Sequence, residues 1–218
     1  MFKGILYYSH NTLDGSHVNN TCRASLIESE LPITSVTHEP IDLGTNIIFD
    51  GPSTLGSMIE QIILGLESMT EDYVYLAEHD CIYHPSHYTI DSSSISYNNN
   101  MWRLTPFGYV KIQGSVLSAC SGPRQLLLEA MKDKLITYKE RESQYIGKPY
   151  VKMLYEPGRG VGRSGKATKC YIASSELPSI DVRHRINTTE RGWGRRHAHV
   201  QTLPYWGDAV NLRRRLNI

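Results

Sequence analysis

Residues Tyr73–Tyr88 read YVYLAEHDCIYHPSHY, and the reading of this stretch decides the fold. Tyr73-Val74-Tyr75-Leu76-Ala77 is an apolar alternating run, the pattern of a short buried strand. The run stops abruptly at Glu78-His79-Asp80. Side chains on an extended chain alternate with period two, so Glu78 and Asp80 are expected on one side and His79 on the other. Two carboxylates on one side can face a divalent cation. An acid pair at a strand end can equally be a helix cap or a solvated turn. Tyr83-His84-Pro85-Ser86-His87 follows as a polar loop stiffened by proline. A strand that delivers acids to its carboxyl end matches the edge where open α/β sheets bind ligands.

Upstream, Lys3–Ser9 (KGILYYS) is a short apolar strand that opens into polar His10-Asn11-Thr12-Leu13-Asp14-Gly15. The pattern predicts a helix over Asn20–Glu30. A second strand is expected over Leu31–Pro40, ending in Ile41-Asp42-Leu43-Gly44, with a short extension at Ile47–Asp50. Ser53 is the expected N-cap of a helix over Leu55–Met69. Met58, Ile59, Ile62, Ile63, Leu66 and Met69 recur at helical spacing and form its buried stripe. Residues 1–90 therefore run β-α-β-α-β, the pattern of a parallel sheet with crossover helices.

Downstream the pattern is less regular. Tyr88–Tyr97 reads as a possible strand, Asn98-Asn99-Asn100 as a turn, and Trp102–Leu104 with Tyr109–Ile112 as a hairpin or further strands. Pro123 is placed at the first turn of a helix over Arg124–Tyr138. Leu126, Leu127, Ala130, Met131 and Leu135 form its apolar face. Tyr150–Tyr155 and Thr168–Ala173 read as strands. Between them, Gly158–Lys166 (GRGVGRSGK) mimics two phosphate-binding motifs by spacing. Both motifs need a strand before and a helix after. A strand is expected after this one, and Ala167 stands where a P-loop requires Ser or Thr. A basic flap carrying Arg159, Arg163 and Lys166 is the expectation instead.

Composition bounds the rest. The chain has 218 residues, 40% hydrophobic and 21% charged, and fits one domain with a real core. Its net charge of +1 hides an asymmetry: residues 1–100 hold 13 acids and 2 bases, residues 101–218 hold 9 acids and 21 bases. The two halves should attract each other, and the basic half could meet a polyanion. Four scattered cysteines with no C-x-x-C pair argue against a thiolate zinc site. No signal peptide and no long apolar run are seen, so a reduced, soluble, cytoplasmic protein is expected.

The segment EHDCIYHPSHY resembles the metal-binding D-x-D region of nucleotide-sugar-dependent glycosyltransferases of the GT-A type. It resembles a small family-2-like subgroup of phage and bacterial sequences. Ile180-Asp181-Val182-Arg183-His184, followed by Arg185-Ile186-Asn187, resembles a second element of the same group. The resemblance implies a single α/β GT-A-like domain over 1–218, with a mixed, largely parallel central sheet flanked by helices. Residues 1–90 would form the nucleotide-sugar half. Residues 91–218 would form the acceptor half, ending in a basic extension.

The resemblance also implies transfer of a sugar from a nucleotide-diphosphate donor, a UDP-sugar first among them, to a hydroxyl acceptor. Glu78 stands at the first acidic position, where the family has Asp, and Asp80 at the second. With His184 they would hold Mn2+ or Mg2+. Asp80 and Arg183 would act in catalysis, and Glu156 is the candidate base. Ser9, Asn11, Asp42, Glu78 and Arg163 would contact the donor, although Ser9 and Asn11 can equally be a plain surface loop. Related phage enzymes glycosylate hydroxymethylated bases, so modified duplex DNA leads as acceptor, in the host cytoplasm if the chain is phage-encoded. A glycan or small molecule is the alternative. The arginine-aromatic tail from Arg191 to Arg215 keeps a non-catalytic nucleic-acid-binding protein open. His79, His84, His87 and Asp80 keep a zinc hydrolase open.

Overall fold

The computed structural model describes residues 1–145, 157, 170–184 and 198–218. In chain order the elements begin with β1 (Lys3–Ser9), α1 (His17–Ile27), β2 (Ile33–Thr37), β3 (Thr45–Ile48), α2 (Leu55–Ser68), β4 (Tyr73–Glu78) and β5 (Cys81–Ile82). A 3-10 turn, Pro85–Thr89, leads to β6 (Ser96–Asn98), β7 (Met101–Thr105) and β8 (Gly108–Lys111). Then come β9 (Cys120–Pro123), α3 (Arg124–Tyr145), β10 (Tyr171–Ala173) and β11 (Ser179–Val182). The pair β12 (Thr202–Leu203) and β13 (Gly207–Asp208) precedes the C-terminal helix α4 (Ala209–Arg215).

The expected α/β architecture is present. Seven strands form a central sheet in the order β10-β6-β9-β4-β1-β2-β3. Its pairings are parallel except where β9 runs antiparallel to β4 and β6. A smaller sheet, β5-β11-β7-β8, takes over the chain where β4 ends.

Period-two alternation along β1 and β4 divides the core. Leu6, Tyr8, Val74 and Leu76 face one cluster, with Ile59, Ile62 and Leu66 of α2 and Leu127 and Met131 of α3. Ile5, Tyr7, Tyr73, Tyr75 and Ala77 face the other, with Cys22 and Leu26 of α1. Because both faces are covered, these strands read as continuous apolar runs. Each fully buried Leu or Ile contributes about 1.5–3 kcal/mol. Across the α2–α3 seam, Glu67 pairs with Lys132 and Glu60 with Lys139. The acidic half therefore does meet the basic half.

Local departures have local causes. α1 starts at His17, three residues before the expected Asn20, because Ser16 caps it by accepting from the amide of Asn19. Thr54, not Ser53, caps α2 by accepting from Ser57 N. The stretch expected as a strand over Tyr88–Tyr97 is mostly a 3-10 turn and loop, and Asn98 closes β6 instead of opening a turn. Pro123 ends β9, and the helix begins one residue later. The strand expected at Tyr150–Tyr155 and the flap Gly158–Lys166 lie outside the described residues.

The return from β2 to β3 turns at Gly44, whose φ of +60° favours glycine. A Cβ there would lie 2.0 Å from the carbonyl oxygen of Ile33. Backbone cannot yield to that contact as a flexible side chain could. Gly44→Ala is expected to lower unfolding free energy by at least about 2 kcal/mol. Urea denaturation of the two proteins measures it, and equal midpoints would contradict this account of the turn.

Candidate metal centre

β1 and β4 run side by side with Tyr8 opposite Glu78, so they end at one edge of the sheet. β4 stops at Glu78, and His79 and Asp80 form a turn. Cys81 and Ile82 then join the small sheet, paired with Asp181 and Ile180 of β11. At the crossing, Val182 N donates to Asp80 O at 2.9 Å. β11 thus carries His184 back to the turn, and His184 Nε2 lies 3.5 Å from Asp80 Oδ2. His79, Asp80 and His184 each offer a ligand atom, all within 4.8 Å of one another.

This geometry corrects the expectation that His79 faces away from Asp80. Period two holds only along an extended strand, and the strand ends one residue before His79. Glu78 still obeys the alternation. It shares the α2–α3 face with Tyr8, whose hydroxyl donates to Glu78 Oε1 at 2.9 Å. Glu78 falls in a second group of close ligand atoms, with Asp80 and Cys81. Asp80 is common to both groups.

The electrostatics separate the two acids. Burial and the neighbouring Asp80 charge push Glu78 up to about 8, against the opposing bond from Tyr8. Burial also works on Asp80, but the hydrogen bond from His184 and the nearby His79, His184 and Arg183 outweigh it and hold Asp80 down at about 2. Burial lowers His79 despite the Asp80 charge, favouring a neutral imidazole. His10, at the end of β1, is lowered by burial and by His79 and His38. Its ring meets that of His79 edge-on at 5.0 Å. Beneath the turn, Arg103 donates to Asp181 Oδ2 from Nε at 2.9 Å and from Nη2 at 2.5 Å. Arg183 is half-buried beside these groups, and burial lowers its pKa.

The other candidates are dispersed. Ser9 sits at this edge, and its hydroxyl accepts from Asn11 N. Asn11 is committed to structure: Oδ1 accepts from the amides of His38 and Glu39, and Nδ2 donates to Asp14 and to Glu39 O. Asp42 is not brought to the edge. β2 ends at Thr37, earlier than expected, and Asp42 lies in the return loop, next to Leu43, whose carbonyl accepts from Ser35. Glu156 and Arg163 lie outside the described residues.

His84 and His87 lie apart from the cluster. His84 Nδ1 accepts from Ser86 N and caps the 3-10 turn. His87 is buried among Tyr75, Tyr83 and Tyr88, beside Asn98 Nδ2 at 2.9 Å and Ser179 Oγ. That dispersal removes the four-ligand set of the hydrolase reading. Sequence reasoning placed His79 only in the zinc-hydrolase set, not beside His184, and missed His10. Each follows the last residues of an apolar strand, and the parallel placement of those strands brings the two rings together.

No protein-family model matches the sequence, and no curated protein matches it. Some solved structures are similar. One is a glycosyltransferase involved in glycosylation of the major capsid of PBCV-1, at 10% identity and TM-score 0.46, over 80% of this chain and 82% of that one. Another is S. aureus TarS, at 11% identity and TM-score 0.47, over 84% of this chain but 37% of that one. A third is a 2-C-methyl-D-erythritol 4-phosphate cytidylyltransferase from Thermus thermophilus, at 10% identity and TM-score 0.45, over 81% and 90%. At such scores the function is left to be read from the site itself.

Burial holds His87 down at about 3, well below an exposed histidine near 6.5. The folded state therefore binds fewer protons than the unfolded state between those values. His87's contribution is fully present above pH 6.5 and is lost as pH falls toward 3. The slope is up to about 1.4 kcal/mol per pH unit, or about 2 kcal/mol between pH 6.5 and 5. His87→Gln should flatten the acid limb of stability measured by denaturant titration at each pH. An equally steep limb in the variant would assign the acid sensitivity elsewhere.

Proposed function

We propose that this chain is a metal-dependent glycosyltransferase that moves a sugar from a nucleoside diphosphate donor, a UDP-sugar first among them, to a hydroxyl acceptor. The observation that carries the reading is the convergence of His79, Asp80 and His184 at the edge where β1 and β4 end. The donor set suits a divalent cation: one carboxylate held ionised, and two imidazoles, His79 of them favoured neutral by burial. Two nitrogens beside one carboxylate favour Mn2+ over Mg2+. When bound, the cation would supply Lewis-acid stabilisation of the charge that develops on the leaving diphosphate.

The chain's own groups then take distinct parts. Asp80, His79 and His184 would hold the cation. Glu78, turned toward Tyr8, would act through a water or toward the sugar. Arg183 would share the diphosphate charge. Ser9 and Asn11 would border the nucleoside, with Asp42 farther off. Glu156 as base and Arg163 as a flap cation complete the proposal. The basic second half supports modified duplex DNA as acceptor, with a glycan or small molecule as the alternative. Without catalysis, the same charge would serve a nucleic-acid-binding protein. Among the described residues, no helix is long and apolar enough to cross a membrane.

Asp80→Ala is expected to abolish Mn2+-dependent binding of UDP-sugars in calorimetric titration while circular dichroism stays unchanged. Glu78→Ala should weaken binding less. Unchanged donor affinity in Asp80→Ala would remove the metal role. For the acceptor, Arg214 and Arg215 are exposed at the end of α4, while Arg213 is partly buried. Replacing the two exposed arginines with Gln should flatten the salt dependence of duplex DNA binding by up to about 0.9 for each phosphate no longer neutralised. No DNA affinity in the wild type at low salt would turn the acceptor toward a glycan or small molecule.

A further inference from the structure

α1 buries an unusual set of polar side chains. Asn19 is 0% exposed, Cys22 0% and Ser25 5%. They are spaced i, i+3, i+6, which puts them on one face of the helix. That face lies against the segment that carries the candidate ligands. Asn19 Nδ2 donates to His79 O at 3.4 Å and to Tyr7 Oη at 2.8 Å. Cys22 Sγ donates to Glu78 O at 3.2 Å. Ser25 Oγ accepts from Tyr83 N at 3.1 Å. Burial and the Asp80 charge push the Cys22 thiol far above its ordinary range, so it stays a donor.

The reason for polar groups there is backbone satisfaction. Glu78, His79 and Asp80 fall at and beyond the end of β4, where sheet pairing runs out. A buried carbonyl without a donor is costly, and nearly all such groups in proteins are paired. Here the three consecutive carbonyls are met in turn by Cys22, Asn19 and Val182 N. One clamp comes from α1 and the other from β11. Between them they set where the turn carries His79 and Asp80 relative to His184.

We infer that Asn19 and Cys22, with Ser25 at the far end of the turn, are positioning residues of the metal centre, acting through the backbone of Glu78–Tyr83. The inference rests on the metal reading of the cluster. A cation tolerates only small errors in ligand placement, and the groups that orient ligands typically matter 10–100-fold in affinity. Loosening the turn should therefore appear in metal affinity before it appears in fold.

The test is titration of the full chain with Mn2+ alone, followed by the electron paramagnetic resonance signal of the free ion. Asn19→Leu and Cys22→Ala should each weaken Mn2+ binding about tenfold. Cys22→Ser, which keeps a donor, should restore most of the loss. Ile62→Val, a core truncation on α2 away from the turn, serves as a control for lowered thermal stability and should leave Mn2+ affinity unchanged. If Asn19→Leu fails to fold, the Cys22 pair decides alone. Wild-type affinity in Cys22→Ala, or an equal loss in Ile62→Val, would overturn the positioning role. If Asp80→Ala leaves Mn2+ binding intact, the metal reading itself falls, and that outcome is distinct from the other two.

Discussion

The bond from Val182 N to Asp80 O is the interaction on which the site depends. It marks where the chain leaves one sheet for another. β4 belongs to the seven-stranded sheet, and three residues after its end β5 is already paired with β11 in the small one. A chain that changes sheets must give up its ladder for a few residues, and every backbone group in that gap needs a new partner. The gap is the turn His79–Asp80. The same crossing that frees these side chains from the pleat also brings β11 alongside, and with it His184. The convergence of His79, Asp80 and His184 is thus a by-product of backbone accounting.

The buried charge under the turn follows the same logic. Arg103 is 3% exposed and Asp181 9%. Ionised groups so deep are tolerated when paired and bonded, as these are. Asp181 also adds to the negative field that keeps the Glu78 carboxyl up. Asp80 escapes that fate because imidazoles and Arg183 face it from the other side. Two acids two positions apart are therefore pushed in opposite directions. Their environments separate them, since one lies on the pleat facing a tyrosine and the other beyond it facing histidines.

Much of the fold is legible in the sequence because it is carried by period. The apolar runs of β1 and β4 and the stripe of α2 are long enough for local pattern to dominate, and the structure keeps all three. Asp80 and His184 also emerge as a pair, through resemblance of two short segments. What is not legible depends on where regular structure ends. Alternation carried past Glu78 puts His79 on the wrong side. Asp42 is expected at the end of a strand that in fact stops at Thr37. His87 looks like a ligand by its company of polar residues, yet its neighbours in space are three tyrosine rings. The polar face of α1 gives a low helical contrast in sequence. Its partners are backbone atoms of the turn, which leave no mark in residue type.

The charge asymmetry bears on the proposed donor. Residues 1–100 hold 13 acids against 2 bases, and this half supplies the edge at which the diphosphate would dock. Such a field repels an anion unless it is countered locally. The exposed pairs between α2 and α3 take up a little of the charge and are individually worth little. At the edge itself a counter-charge comes from the second half, through Arg183, which follows directly on β11, the strand that β5 pairs with. Asp80, held ionised by His184, His79 and Arg183, would under that proposal bind a cation rather than meet the anion directly. Under the proposed function, an acidic half that would receive a diphosphate would need a divalent cation to do so. Under the same proposal, the basic residues of the second half would serve two ends: to balance the donor at this edge, and to present positive charge at the end of α4 toward an acceptor.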